Sequence, residues 1–343
     1  MTEVKNNHII SSGASPDGLV GVDTEDIDSL GESTGVELRQ ATVPIKAHGE
    51  RLDIALSLLV PEFSRSYLQQ LVVSGAVQLN GLPIGKSSAR VKAGDALLIE
   101  LRPTPQSQAF KPEAMPIDVM YEDAFLLVVN KPAGLVVHPA PGNWSGTLLN
   151  GLLARDPQAA FLPRAGIVHR LDKDTSGLMV VARQRQTMDQ LVEMIAARTV
   201  SRQYLALAHH AWQGPNTKHT EFPIGRDPKN RLRMSVVDLD KNAGKTAATD
   251  VTLLKNTENH CLVRCKLHTG RTHQIRVHMA ALGHALIADE LYGGHFELGM
   301  QRQALHAFRL AFKHPASQLA IDLKADLPQD MVAALEKLGL SYS

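Results

Sequence analysis

Apolar and polar positions alternate in blocks along most of the chain, and the clearest block lies at Gly166–Ala182. An apolar start, Ile167 and Val168, runs into a polar stretch, HRLDKDTSG, that is rich in turn-forming residues. The apolar run Leu178–Val181 follows and has the pattern of a buried strand. The pattern therefore predicts a tight polar loop between two apolar segments, which is a common way to fix reactive side chains.

The hydrophobic pattern upstream of that loop predicts a small module of helices and strands at residues 41–101. Apolar positions at helical spacing follow both Arg51 and Ser64, so a helix is predicted to begin at each of them. Asn80-Gly81 follows an apolar run and is typical of a tight turn. The strands predicted for this module are Thr42–Ile45, Ala76–Leu79 and Ala96–Leu101.

Residues 117–343 carry the pattern of a larger α+β domain, and the Pro-rich residues 102–116 predict a linker in front of it. The predicted strands are Phe125–Val129, Leu135–Val137, Ser201–Ala208 and Cys261–Leu267. The predicted helices begin at Thr147, span Gln186–Arg198 and Thr272–Leu282, and end the chain within Asp326–Leu340. Thr187 and Gln190 have the spacing of a helix capping box. The polar and basic stretch Trp212–Thr249 predicts a hairpin or an excursion from the domain.

Composition and charge narrow the class of protein. The 343 residues are 44% hydrophobic and 4% aromatic, which suits a folded core and argues against extensive aromatic stacking on bases. Residues 1–40 hold eight acidic and two basic side chains without periodicity, and they predict a disordered acidic tail. Since the whole chain carries a charge of +1, the remainder carries about +7, which fits a polyanionic partner.

The cysteines and histidines give no pattern of a metal site or a disulfide. Cys261 and Cys265 share one face of a predicted strand but lie too far apart to be bridged, so we interpret them as core residues in a reducing compartment. The histidines His268, His273 and His278 lack the i, i+4 spacing of a helical zinc pair. The start of the chain has no basic segment followed by an apolar one, and no window approaches about 18 apolar residues. These features predict a cytoplasmic protein without a membrane span.

The stretch HRLDKDTSG resembles the motif of the RluA/RluD family of RNA pseudouridine synthases, and further segments in the family's order follow it. The resemblance covers about Arg51 to Met331 and implies that Asp172 is the catalytic residue. It also implies an active-site tyrosine, Tyr204, and an arginine that pairs with Asp172, which is Arg276 of HTGRTHQIRVH. Three more residues are implicated in binding the substrate RNA: Arg170, in the space vacated by the flipped base, Leu305, in the uracil pocket, and Arg271.

The implied reaction breaks the N1–C1′ glycosidic bond of uridine, turns the base and joins C5 to C1′. It is redox-neutral, and the family uses neither a metal nor an organic cofactor, so we expect none. Arg276 is expected to keep the Asp172 carboxylate ionised, since a neighbouring cation favours the charged form. Tyr204 is expected to stack on the base, which must leave the RNA stack to be reached. The sequence leaves open whether Asp172 attacks C1′ or promotes elimination to a glycal.

The predicted small module resembles the α/β RNA-binding module of the ribosomal-protein-S-four type, through the order RLD, SR, SGAVQLNG and GD. The resemblance implies contacts with the RNA backbone from Arg51, Ser64, Arg65, Lys86 and Arg90. A helix N-terminus with basic neighbours suits phosphate oxygens. The segment Gly81–Ser87 imitates a nucleotide-binding P-loop, but three residues separate its glycines where four are needed. We therefore expect no nucleotide cofactor.

Other functions fit the central loop less well. Asp172 and Asp174 could form a glycosidase pair, but positions i and i+2 on a loop do not indicate facing carboxyl groups. A calcium-binding loop beginning at Asp172 needs a glutamate at its twelfth position, where this chain has Arg183. A non-catalytic RNA-binding factor of ribosome assembly stays open as an alternative, and such a protein would not depend on Asp172.

We therefore expect an α+β catalytic domain with a mixed, largely antiparallel sheet behind a small RNA-binding module. The expected activity is the isomerisation of specific uridines in large-subunit (23S) ribosomal RNA. Within the family the chain most resembles the RluD type, which implies the helix 69 stem-loop as target; the RluC type, acting on other uridines, is the alternative. The expected partner is ribosomal RNA, and the expected state is a cytoplasmic monomer.

Overall fold

The structure is a computed structural model that describes residues 37–101, 109–230 and 232–342. Within them the chain forms two compact units, one on each side of the gap at residues 102–108. Among the described residues, no helix combines the length and the apolar character needed to cross a membrane.

The N-terminal unit is a small antiparallel sheet with two short helices. Its elements are β1 (Glu37–Thr42), α1 (Leu52–Leu59), α2 (Arg65–Val73), β2 (Val77–Leu79), β3 (Leu82–Pro83) and β4 (Ala96–Leu101). The strands lie in the order β1-β4-β2-β3. Asn80 and Gly81 take positive φ values of 51° and 82° in the turn between β2 and β3, the backbone that an Asn-Gly hairpin turn requires. The predicted helix starts and this turn are confirmed.

The prediction of a disordered tail at residues 1–40 is wrong at its end. Residues 37–40 belong to β1, which pairs with β4 from Glu37 opposite Leu101 to Thr42 opposite Ala96. Because that partner strand is about sixty residues away, the local polarity of ELRQ could not reveal the pairing. The predicted strand Thr42–Ile45 is correspondingly misplaced, since Ile45–Ala47 is a 3-10 turn. Residues 1–36 lie outside the described part of the chain.

The C-terminal unit is larger and mixes helices with strands. Its strands are β5 (Val119–Glu122), β6 (Leu126–Lys131), β7 (Ser176–Ala182), β8 (Ser201–His209), β9 (Thr217–Thr220), β10 (Ile224–Arg226), β11 (Met234–Val236), β12 (Gly244–Lys245), β13 (Thr249–Asn256), β14 (His260–Leu267), β15 (Leu305–Lys313) and β16 (Ala320–Lys324). Its helices are α3 (Leu148–Arg155), α4 (Arg185–Ala196), α5 (Gln274–Ala281) and α6 (Gln329–Lys337).

One long sheet organises this unit, in the order β5-β6-β7-β15-β8-β14-β13-β9, with β16 paired to β15. The pairing of β15 with β7 is parallel, and the other pairings along this sheet are antiparallel. Alternate residues of the strands pack with α3 and α5 in one apolar cluster and with α4 in another. The excursion predicted at Trp212–Thr249 holds β9 and a small sheet in the order β11-β10-β12. The predicted α+β class with a mixed, largely antiparallel sheet is confirmed.

Two local predictions for this unit are wrong. Leu135–Val137 is a loop, because Gly134 turns with a φ of +84° and the carbonyl of Leu135 accepts from Lys131. The capping box of Thr187 with Gln190 does not form, since α4 begins at Arg185 after Gln184. Of the predicted linker 102–116, residues 102–108 lie outside the described residues, and the Asn150 amide of α3 donates to the carbonyls at positions 109 and 111.

Candidate active site

A cavity of about 450 Å³ lies in the C-terminal unit where four segments of the long sheet and its helices meet. The loop before β7, the middle of β8, the turn from β14 into α5 and the start of β15 all line it. It contains the six residues predicted for catalysis and substrate binding in this domain: Arg170, Asp172, Tyr204, Arg271, Arg276 and Leu305. The volume lies in the usual range of small-molecule sites.

The loop that carries Asp172 is clamped by hydrogen bonds from the surrounding structure. Within the loop, the Thr175 amide donates to the Asp172 carbonyl at 3.1 Å and so forms a turn. The buried Lys131 ammonium donates to the Lys173 carbonyl at 2.9 Å and also to two carbonyls of its own loop. The Arg302 guanidinium donates to the carbonyl of Asp174 at 2.9 Å. Since the clamps act on the backbone, they fix the loop while leaving the Asp172 side chain facing the cavity.

Arg276 joins two carboxylates from different parts of the chain. Its Nη1 donates to Asp172 Oδ2 at 3.2 Å, while Nε and Nη2 each donate to the carboxylate of Asp289 at 2.8 Å. Asp289 is 2% exposed and Arg276 is 8% exposed. Burial opposes the charge on Arg276, but the hydrogen bonds and charges of Asp289 and then of Asp172 raise its pKa overall. Asp289 therefore fixes the arginine that contacts Asp172.

An aromatic ring and a histidine complete the surroundings of this ion pair. The guanidinium carbon of Arg276 lies 5.0 Å from the centroid of Tyr292, a cation–π distance. His273 Nδ1 is 2.8 Å from the Tyr292 hydroxyl, and its Nε2 is 3.9 Å from Asp172 Oδ1. His273 reaches this position from the left-handed backbone region, with a φ of 55°. Strain of this kind is found at functional sites and persists where the surrounding structure enforces it.

Tyr204 and Leu305 form an apolar wall of the cavity. Tyr204 lies in β8 opposite Cys265 of β14 and is 5% exposed, and Leu305 begins β15 opposite Ala206. Burial raises the pKa of the Tyr204 phenol to about 12. The charge of Arg202 opposes this rise, and the charge of Asp172 adds to it. The phenol is therefore protonated at neutral pH. The cysteines predicted to be core residues, Cys261 and Cys265, are buried in the same cluster.

Several residues of this site were missed by the sequence reasoning. Asp289 follows the short apolar run at positions 286–288, outside the motifs, and no local signal marks it as the partner of Arg276. Arg202 was detectable, because positions i and i+2 of a strand point to the same face, and β8 places it beside Tyr204. Lys131 lies in NKPAG, where the strand pattern gave no sign of a buried ammonium.

In the N-terminal unit, two of the predicted RNA-contacting residues bind the buried carboxylate of Asp53. Arg51 Nε donates to Asp53 Oδ1 at 3.0 Å, and Arg65 Nη2 donates to Oδ2 at 2.8 Å. Hydrogen bonds from Arg51 first, and from Gln69 and Arg65, hold the pKa of Asp53 well below its usual value. The motifs RLD and SR thus join the starts of α1 and α2 by an ion pair.

The other predicted contacts of this unit lie nearby. Ser64 Oγ accepts from the Tyr67 amide at 3.3 Å and caps α2. Arg90 pairs with Arg51 in an isolated bridge and donates to the Gly49 carbonyl at 2.7 Å. Lys86 is exposed in the segment whose carbonyls at positions 87 and 89 accept from the start of α1. The side chains of Arg51 and Arg65 are 40% and 51% exposed. These two arginines therefore form one basic surface.

Two groups of side chains have the composition of metal ligands, with their ligand atoms within 4.8 Å of one another: His209, His260 and Glu297, and His219, Asp250 and His268. In both groups, hydrogen bonds explain why these atoms lie close together. His209 Nε2 accepts from the His295 amide at 3.0 Å, which leaves the proton on Nδ1, the atom that faces Glu297. In the second group Asp250 accepts from both imidazoles. The histidines considered above have separate partners: His268 contacts Asp250, His273 contacts Tyr292, and His278 contacts Thr249.

Comparison with known proteins gives a consistent result for both units. Residues 125–281 match the family described as RNA pseudouridylate synthase, and residues 50–97 match the S4 domain. Similar proteins are the ribosomal large subunit pseudouridine synthases D of Neisseria meningitidis serogroup B, Xylella fastidiosa and Escherichia coli O6:H1. They are 47%, 46% and 40% identical to this chain, over 87%, 88% and 88% of it and 81%, 92% and 94% of their own lengths.

Two solved human structures resemble the chain over about two thirds of its length. Human RNA Pseudouridylate Synthase Domain Containing 4 is 25% identical, with a TM-score of 0.52 over 66% of this chain and 94% of its own. Human RNA Pseudouridylate Synthase Domain Containing 1 is 26% identical, with a TM-score of 0.50 over 65% and 90%. The fold is thus that of an RNA pseudouridylate synthase, with an S4 domain preceding it in the chain. The chain belongs to the RNA pseudouridylate synthase family and is an isomerase, an RNA pseudouridine synthase.

Proposed function

We propose that this enzyme isomerises specific uridines of large-subunit (23S) ribosomal RNA to pseudouridine, with the helix 69 stem-loop as its target. The observation that carries the proposal is the contact of Arg276 with Asp172 at 3.2 Å, inside a cavity walled by Tyr204 and Leu305. Relatives named for the large ribosomal subunit support the RNA class. The enzyme is proposed to act in the cytoplasm as a monomer.

The reaction starts when a target uridine leaves the RNA stack and enters the cavity. Arg170, which lines the cavity and is exposed, fills the gap left in the RNA, and Arg271, which also lines the cavity, contacts the backbone. Leu305 and the ring of Tyr204, which lie side by side in one wall of the cavity, pack against the uracil. Flipping costs a few kcal/mol, and these contacts offset that cost.

Asp172 then acts on the sugar, in one of two ways. In the first, a carboxylate oxygen attacks C1′ and the N1–C1′ bond breaks, so that its electron pair stays on the uracil. In the second, Asp172 takes the proton at C2′ and the base departs to leave a glycal. Arg276 orients the carboxylate in both, because Asp289 holds the arginine from its other side.

The free uracil turns so that C5 faces C1′, and the new C5–C1′ bond forms as the bond to Asp172 breaks or the glycal is re-protonated. The proton on C5 must then leave and N1 must gain one. The Tyr204 phenol, protonated because its pKa is raised to about 12, is placed to pass protons at the base without carrying a charge.

The experiment maps pseudouridines across total cellular RNA by carbodiimide labelling and reverse-transcription stops. The strains lack this gene, or carry it as wild type or as Asp172→Ala. We expect stops in helix 69 of the large-subunit RNA to vanish in the deletion strain and to return only with wild type. Stops that vanish elsewhere in the RNA would refute the helix 69 target. If the stops persist in the deletion strain while ribosome assembly fails, the protein is a non-catalytic assembly factor.

A further inference from the structure

Arg202 is a buried cation in the wall of the active-site cavity, and the mechanism above does not use it. It lies in β8 two residues before Tyr204 and is 6% exposed. Its Nε is buried without a hydrogen-bond partner, and over the described ranges no ion pair or side-chain hydrogen bond of its guanidinium is found. Arg276, at 8% exposure, has the carboxylates of Asp289 and Asp172. The two buried arginines of one cavity thus differ in that only one has a counter-charge.

An unpaired buried charge is unfavourable, because the ion loses its hydration without gaining a partner. Burial accordingly lowers the pKa of Arg202, yet a guanidinium stays charged at neutral pH. Its Nη1 packs closely against Gly270, where a Cβ would lie only 2.9 Å from it, and the guanidinium belongs to the lining of the cavity. A charge kept at this cost in the wall of a cavity indicates a negatively charged group that arrives with the substrate.

A second unused donor lies in the same cavity wall. His169 Nε2 accepts from the Val180 amide at 3.1 Å, so the proton of the neutral imidazole is on Nδ1. That Nδ1 is buried and, in the part of the chain described, has no partner. His169 stays neutral, because burial and then the charge of Arg202 lower its pKa to about 3. One cationic and one neutral donor without an acceptor therefore belong to residues that line the same cavity.

We propose that Arg202 binds a phosphate of the RNA that flanks the flipped uridine, with His169 as a second donor. A phosphate supplies the missing counter-charge and accepts two parallel hydrogen bonds from a guanidinium. The uracil carbonyls are neutral and would leave the charge of Arg202 uncompensated. The proposal rests on the proposed function, because it requires RNA to enter this cavity. It adds a residue that recognises the backbone of the target nucleotide.

The test measures single-turnover rates on an RNA stem-loop with a mapped target uridine, in which one flanking phosphate at a time is a neutral methylphosphonate. Each such RNA carries a 2′-deoxy sugar on the 5′ side of the change and is compared with the phosphodiester RNA of the same sugar. The proteins are full-length wild type, Arg202→Met and Arg202→Lys. Arg309→Met is the control, since Arg309 is paired with Asp322 outside the cavity.

We expect the wild type and the control to lose about tenfold in rate or more at one methylphosphonate, the amount that a charge-assisted hydrogen bond contributes. Arg202→Met should be slower by a similar factor on the phosphodiester RNA and show no further loss at that position. Arg202→Lys should retain part of the sensitivity. Arg202→Met should also melt no lower than wild type, because the variant removes an unpaired buried charge.

Three results would overturn the inference: a wild type indifferent to every flanking methylphosphonate, an Arg202→Met enzyme that keeps the full loss at the sensitive position, or an Arg202→Met enzyme that melts lower in proportion to its lost activity. The last would mean that the arginine is structural. A wild type that modifies no RNA would refute the proposed function itself, so the two failures are distinguishable.

Discussion

Replacing Asp289 by Asn tests whether a buried carboxylate holds the arginine of the active site. The variant keeps the shape of the side chain but removes its charge and turns an amide N–H toward the guanidinium of Arg276. Both side chains are nearly inaccessible, at 1% for Asp289 and 9% for Arg276. Removing one partner of a buried ion pair costs about 3–5 kcal/mol. We expect about 3 kcal/mol, since Arg276 keeps its contact with Asp172.

A matched pair in the same domain provides the control. Arg309 donates to Asp322 in the same two-bond geometry, at 2.8 and 2.5 Å, but their side chains are 32% and 47% exposed. Exposed ion pairs contribute about 0–1 kcal/mol, so Asp322→Asn should change stability little. The two variants differ in burial and hardly in chemistry.

The assay is urea unfolding followed by tryptophan fluorescence. The two tryptophans, Trp144 and Trp212, both lie in the C-terminal unit, so the signal reports on that unit alone. With a urea m-value of about 3 kcal/mol/M, Asp289→Asn should lower the midpoint by about 1 M. Its turnover should fall about 10- to 100-fold, since small misplacements of a catalytic group have effects of that size. Equal midpoints for the two variants, or full turnover by Asp289→Asn, would refute the reasoning.

Three further predictions follow from the described contacts. The pKa of Tyr204 is about 12 in the folded protein and about 10 in the unfolded chain. The contribution of the protonated phenol to stability is therefore complete below pH 10 and is lost as pH rises through 12. Between pH 8 and 11, wild type should lose about 1.4 kcal/mol more of its free energy of unfolding than Tyr204→Phe. Gly177→Ala should lower the free energy of unfolding by about 3 kcal/mol or more, because its Cβ would lie 2.3 Å from the Ala307 carbonyl oxygen. The control Gly214→Ala has a similarly positive φ but lies in open space, so it should lower that free energy by about 1 kcal/mol. Thermal melting measures both. Arg65→Ala should weaken RNA binding and reduce the slope of log K against log salt by about one.

Each of these predictions has an outcome that contradicts it. A parallel pH dependence of wild type and Tyr204→Phe would mean that the phenol titrates normally. Equal melting of the two glycine variants would remove the close contact as the cause. An unchanged salt slope would leave Arg65 as a structural partner of Asp53, with no phosphate contact.

The loop of Asp172 and the strands around it were predictable because their signals are local. HRLDKDTSG is polar and turn-forming between apolar runs, and Ser201–Ala208 and Cys261–Leu267 each lie within an observed strand. The family resemblance then named Asp172 on the loop, Tyr204 on the first strand and Arg276 shortly after the second, and the fold brings these three residues to one cavity.

What the sequence could not reveal depends on contacts between distant segments. The pairing of β1 with β4 requires knowledge of both strands, and the polar start of β1 taken alone looks like part of the acidic tail. Residues at positions 109–116 have the composition of a linker, which gives no sign that the carbonyls at positions 109 and 111 accept from the distant Asn150 side chain. The role of Asp289 could not be predicted for the same reason, because it depends on the guanidinium of Arg276, which another segment supplies.

The central claim is that the Asp172 carboxylate carries out the isomerisation. The most direct measurement is tritium release from RNA labelled at C5 of uridine, because the new C5–C1′ bond displaces that hydrogen. Purified wild type should release tritium into water. Asp172→Asn should bind the same RNA with unchanged affinity and melt at a similar temperature while releasing none. Release by Asp172→Asn above the level of a buffer control would contradict the account and remove Asp172 from its role.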